Sequence, residues 1–133
     1  MLTNIMYVTM YVSDQGQALD FYTEALGLEK RIDASGPEGR FLTVGVPGTP
    51  VEIVLWPGEP GHQGSPPGSE PGTVPGPVII ESDDLRTEFE GLRARGVTFE
   101  ESEPTAYPFG VRITALDPDG NRISLRQPRK RGA

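Results

Sequence analysis

Residues 57 to 77 read "PGEPGHQGSPPGSEPGTVPGP", and no helix or strand can run through them. Proline lacks the backbone donor and fixes φ, while glycine carries the largest entropic cost of ordering. The run is a linker, so the chain must fold as two segments, one on each side of it. Half of the 14 prolines fall inside it, and what remains reads as ordinary globular sequence. Its single histidine, His62, reads as a solvated linker residue rather than a ligand or a catalytic group.

The two segments spell the same order of elements. In the first, "IMYVTMYV" (5–12) is rich in β-branched and aromatic residues and predicts a strand. Ser13 or Asp14 then caps a helix whose apolar stripe is Leu19, Tyr22 and Leu26, with Gly27 at the left-handed position that ends it. Strands are predicted at 28–33, 40–46 and 51–56, the last two joined by the "VPGTP" turn. In the second, "GPVIIES" predicts a strand and Asp83 or Asp84 a cap. Leu85, Phe89 and Leu92 form the stripe, and Gly96 closes the helix. Strands follow at 97–101, 110–116 and 121–127, with "DPDGN" as the last turn and "PTAYPFG" (104–110) as a loop. The reading is βαβββ twice: module one at 1–56, linker at 57–76, module two at 77–128 and a basic tail at 129–133. Side-chain identity between the halves is weak; the order of elements is what repeats.

Side chains alternate faces along a strand. Met6, Val8, Met10 and Val12 suit packing under a helix, which leaves Ile5, Tyr7, Thr9 and Tyr11 on the other face. Likewise Val51, Ile53 and Leu55 pack, and Glu52, Val54 and Trp56 face away. In the second module Val78, Ile80, Ile123 and Leu125 pack. Ile79, Glu81, Arg122, Ser124 and Arg126 oppose them. Each module therefore has a second face of mixed aromatic and polar character. Such a face can line a cavity, meet solvent or form a dimer interface.

A formal net charge of −7 argues against nucleic acid as a partner and favours a neutral or cationic one. No apolar run approaches the roughly 18 residues of a membrane span, and the N-terminus shows no secretory pattern. A cytoplasmic protein with no membrane partner is expected. With no cysteines, disulfides, thiolate catalysis and Cys-ligated zinc are excluded.

"YVSDQGQALDFYTEALGLE" (11–29), "DDLRTEFEGLRARGV" (84–97) and "FGVRITALDPDGNRISL" (109–125) stand in an order that resembles the vicinal oxygen chelate superfamily. That group contains glyoxalase I, bleomycin resistance proteins and extradiol dioxygenases. The resemblance implies an α+β fold of paired βαβββ modules, whose cupped mixed sheet surrounds the site, usually in a homodimer. It also implies four ligand positions in the metal enzymes, which fall here on Tyr7, Glu52, Pro77 and Ser124. Only Glu52 could bind a metal, and one carboxylate cannot hold a catalytic divalent ion. No metal or other cofactor is expected.

Glu52 then has three open readings. It could pair with Arg112, Arg122 or Arg126, anchor a ligand in a pocket walled by Tyr7, Tyr11, Val54, Trp56 and Ile79, or act as a general base with an acid such as Tyr7 or Tyr107. Tyr107 and Phe109 could cap a ligand at the pocket mouth, with Arg112 and Ser124 beside it. The expected function is metal-free binding of a bulky aromatic or cationic small molecule, as in resistance by sequestration. The alternative is a glyoxalase-like lyase, isomerase or dioxygenase with a degenerate or displaced metal site.

Overall fold

Two aspartates start the two helices. In the computed structural model, which describes residues 1–59 and 76–129, the Asp14 carboxylate accepts the N–H of Gln17 and that of Asp84 the N–H of Thr87. These bonds satisfy donors that the first helical turn leaves orphaned. The chain divides into two compact units, Met1–His62 and Gln63–Ala133. His62, most of the linker and the tail beyond Arg129 lie outside the described residues.

The first unit contains β1 (Tyr7–Val12), α1 (Gln15–Asp20), β2 (Glu29–Gly36), β3 (Gly39–Gly45) and β4 (Glu52–Pro57). Its sheet runs β1-β4-β3-β2, with β1 parallel to β4 and the other pairs antiparallel. The second unit contains β5 (Val78–Glu81), α2 (Leu85–Ala94), β6 (Thr98–Phe99), β7 (Thr105–Tyr107), β8 (Gly110–Leu116) and β9 (Arg122–Pro128). There the order is β5-β9-β8-β6, with β5 parallel to β9 and β7 added beside β8. An α+β fold with βαβββ order in each unit is thus observed, the second unit carrying one strand more.

Each helix packs on one face of its own sheet. In the first unit Met10, Val12, Leu42, Val44, Ile53 and Leu55 are buried with Ala18 and Tyr22. In the second, Leu85, Phe89 and Leu92 are buried with Ile113, Ala115, Ile123 and Leu125. The polar stitching differs between them. The Gln15 amide donates to the carbonyls of Arg40 (2.8 Å) and Leu55 (2.9 Å). In the other unit the Gln127 side chain accepts the N–H of Leu85 at 2.8 Å.

Several local expectations are corrected. α1 does not bury Leu19, Tyr22 and Leu26 as a stripe; Ala18 and Tyr22 are the buried pair, and the helix widens into a π-helical turn at Phe21–Ala25. Thr23 takes part, its hydroxyl donating to the Leu19 carbonyl at 2.7 Å, a bond that bends helices. The two helix ends show the effect. After α2, Gly96 donates to Arg93 and Val97 to Leu92, the usual double bond of a glycine-closed helix. After the π turn, Gly27 donates to Thr23 and Leu28 to Tyr22, each one residue wider. β1 starts at Tyr7 rather than Ile5, and β4 runs on through Pro57 into what reads as linker. β6 is only two residues long because the Glu101 carboxylate accepts the Thr114 N–H at 2.9 Å and so ends the ladder. Thr105–Tyr107, expected as loop, is a strand against β8.

Two glycines, one inside α2 and one just past its end, should respond oppositely to alanine. Gly96 sits at φ +91°, where a Cβ costs about 1–2 kcal/mol, so Gly96→Ala should lower stability in urea denaturation by that order. Gly91 is helical, and a Cβ there would meet only the end of the Arg95 side chain at 3.4 Å. Gly91→Ala should therefore raise stability by about 0.5–1 kcal/mol.

A second expectation concerns pH. Arg40 grips Asp33 through two 2.8 Å bonds, and that hydrogen-bonded guanidinium holds the Asp33 carboxyl below its ordinary range. A depressed folded value means stability that is present above the unfolded value, about 3.9, and lost as pH falls through the folded one. Thermal melts of wild type and Asp33→Asn should differ at neutral pH and converge in acid, by a small margin because the pair is exposed.

Candidate functional site

The parallel register between β1 and β4 decides what the face away from α1 presents. Tyr7 lies opposite Glu52, Thr9 opposite Val54 and Tyr11 opposite Trp56. β3 extends the same face, with Thr43 opposite Val54 and Gly45 opposite Glu52. Tyr7 and Tyr11 are exposed, Trp56 is half-buried and Val54 is buried. The Tyr7 ring meets Phe41 edge-on, 5.5 Å between centroids, while Tyr11 lies over Gly58. Trp56 and Phe41 also line a cleft of about 520 Å³ with the β2–β3 hairpin, residues 34–39.

Glu52 is half-buried on this face. Its Oε1 accepts the Thr43 hydroxyl at 2.6 Å, and that hydroxyl oxygen accepts the Ile32 N–H at 3.0 Å. Thr43 is fully buried, so this small network holds the carboxylate in place from inside the sheet. Of the three arginines expected as its partners, Arg122 is paired with Glu100 at 2.6 Å, and Arg112 and Arg126 lie against Tyr107.

Sequence reasoning missed three residues here. Phe41 and Thr43 belong to β3, and alternation along 40–46 could have assigned both to this face. Arg31 carried no signal, because its direction depends on the irregularity in β2 between Lys30 and Asp33. Its guanidinium lies over Gly45, where any Cβ would collide with it at 2.6 Å. It is held there by the Val46 carbonyl (2.8 Å) and Glu29 (3.2 Å). Gly45 is the register partner of Glu52, so a cation and a carboxylate stand over neighbouring strands.

The second module presents Ile79, Ser124, Thr114, Arg112, Arg122 and Arg126 away from α2, by the registers Ile79↔Ser124, Thr114↔Ser124 and Arg112↔Arg126. Ile79 is exposed, whereas Ser124 is buried and its hydroxyl accepts the Gly76 N–H at 3.0 Å. Tyr107 stands on β7, edge-on to the exposed Phe109 at 5.9 Å.

The four positions to which the resemblance assigns metal ligands do not fit a divalent ion. Tyr7 and Glu52 are register partners, as that assignment requires. Opposite Ser124, however, the register puts Ile79 rather than Pro77, which precedes β5. Neither is a ligand, and the set keeps one carboxylate where about three protein ligands are needed. Among the described residues no group of three or more His, Cys, Asp or Glu is placed to hold a metal.

Comparison with known proteins adds the following. The family model of the Glyoxalase/Bleomycin resistance protein/Dioxygenase superfamily matches residues 4–125. The uncharacterized protein YetH of Bacillus subtilis (strain 168) is 30% identical over 128 residues, covering 96% of this chain and all of that one. The crystal structure of TnmS3, an antibiotic binding protein from Streptomyces sp. CB03234, is similar with a TM-score of 0.77 and 32% identity, covering 96% of this chain and 98% of that one. A superfamily member from Sphaerobacter thermophilus DSM 20745 gives a TM-score of 0.76 and 34% identity over 95% of this chain and 98% of its own.

The Glu52–Thr43 network makes a prediction about stability. Thr43→Val removes the donor to Glu52 and the acceptor for Ile32, and should cost about 2–3 kcal/mol in chemical denaturation. Glu52→Gln keeps an acceptor for the Thr43 hydroxyl and should cost under about 1 kcal/mol. Equal costs would show that the bond does not hold this face together.

Proposed function

The chain belongs to the Glyoxalase/Bleomycin resistance protein/Dioxygenase superfamily, and we propose that it is a metal-free member that binds a bulky aromatic small molecule without transforming it. The carrying observation is the face of β1, β3 and β4, where Tyr7, Tyr11, Phe41 and Trp56 share one side of the sheet with a single carboxylate, Glu52, that lacks the companions a metal centre requires. The cleft beside Trp56 and Phe41, about 520 Å³, falls within the size range of small-molecule sites. The similarity to an antibiotic binding protein supports the same reading. Sequestration, as in resistance, is the service that fits a binder with no chemistry.

We take the ligand to be aromatic rather than cationic. The net charge of −7 acts at long range, whereas the rings of Tyr7, Tyr11, Phe41 and Trp56 supply stacking surface at the face itself. Glu52 serves as an orienting acceptor rather than a base, because no acid stands among its described hydrogen-bond partners. A homodimer and a cytoplasmic location complete the proposal. Among the described residues no helix is long and apolar enough to cross a membrane.

Trp56 is the only tryptophan, which makes the proposal measurable. Titration with the neutral aromatic probe 2-naphthamide should quench its fluorescence saturably. Trp56→Leu, followed by calorimetry, should weaken binding by about tenfold or more, roughly 1.4 kcal/mol. Protein dialysed against zinc, nickel or manganese should retain far less than one ion per chain, and chelator should leave probe affinity unchanged. Retention near one per chain would replace this reading with the lyase or dioxygenase one. Light scattering should give twice the monomer mass.

A further inference from the structure

Two arginines face each other across β8 and β9. Arg112 and Arg126 are register partners, and like charges directly opposite on neighbouring strands destabilise a sheet. Both guanidiniums lie against one ring: their Cζ atoms are 4.8 Å and 5.3 Å from the centroid of Tyr107. A ring face attracts a cation but brings no counter-charge.

Arg126 is also under-satisfied. Its Nε is buried and has no hydrogen-bond partner among the described residues, a condition that native proteins rarely leave unexplained. Its register partner on β5 is Glu81, an exposed side chain that forms no ion pair with it. Arg122, two positions along the same face, shows the contrast. Its Nε is paired with Glu100 at 2.6 Å, although its Nη1 also lacks a partner. Between them Ser124 accepts the Gly76 N–H, and its own O–H makes no bond among the described residues. Cationic forks and a spare hydroxyl thus share one face, beside the aromatic Tyr107.

We propose that this face of the second unit binds the carboxylate of a small aromatic molecule, with Arg112 and Arg126 as its forks and Ser124 as an added donor. The proposal concerns the second unit by itself and does not depend on the aromatic face of the first. A guanidinium presents paired donors in a plane that matches a carboxylate. The anion would neutralise the facing charges, satisfy Arg126 Nε, and leave the ligand's ring against Tyr107. The site is then strained when empty and relieved when filled.

The test uses the full chain and two probes of one shape, 2-naphthoate and 2-naphthamide, titrated by calorimetry at low and high salt. Wild type should bind the carboxylate about tenfold or more tightly than the amide, the value of a charge-assisted hydrogen bond, with the preference shrinking as salt rises. Arg112→Gln and Arg126→Gln should each erase most of that preference. Arg93→Gln, on the exposed side of α2, should leave it intact. Arg126→Lys keeps the charge without the fork and should fall between. Because the empty site is strained, Arg126→Gln should melt at or above the wild-type temperature. If it unfolds the protein instead, Arg126 is structural and the proposal is overturned. Equal affinity for the two probes, or no binding of either, overturns the carboxylate proposal; the reading of the first unit's face is tested separately through Trp56.

Discussion

In each module the first strand lies parallel beside the last, with Tyr7 opposite Glu52 in one and Ile79 opposite Ser124 in the other. Every distinction between a packed face and an open face follows from those two registers. A slip of one residue would turn Met10, Leu55, Ile123 and Leu125 outward and put Tyr7, Glu52 and Arg126 under the helices. Burial forbids it: Met10 and Leu55 are fully enclosed, and each would forfeit about 1.5–3 kcal/mol if exposed. The helices enforce the register from one side, and the side chains of the open face inherit their positions on the other.

Charge is handled differently on the two open faces. In the first module a carboxylate is tethered by a neutral hydroxyl, Thr43, while the nearby cation Arg31 is occupied by Glu29 and a carbonyl. In the second, three arginines share a face and only Arg122 has a carboxylate partner among the described residues. The net charge of −7 says nothing of this. Long-range charge governs solubility and encounter, whereas recognition depends on charges that are fixed and partly desolvated.

Much of the fold was legible because local rules carry it. Asp14 and Asp84 cap, Gly27 and Gly96 terminate, and Leu85, Phe89 and Leu92 form a stripe, all by chemistry confined to a few neighbouring residues. The misses share another cause. Thr105–Tyr107 is a strand only because β8 lies beside it, and three residues between prolines carry no periodicity. The π turn at Phe21–Ala25 replaces an α-helical end that the cap and the closing glycine both announce. On the open faces, alternation assigned Tyr7, Glu52, Trp56, Ile79 and Ser124 to one side. It could not place Arg31 over Gly45, since a bulge resets the direction of every residue after it.

The sequence by itself determined two βαβββ units, the division between them, the polarity of each strand's two faces and which side chains stand at the four positions discussed as metal ligands. These depend on residue type and on spacing along the chain. Only the tertiary structure decided what Glu52 bonds to, which arginine has a partner and that Arg112 and Arg126 close on one tyrosine. Those outcomes depend on distances between residues remote in the chain, which strand register sets and local propensity does not encode.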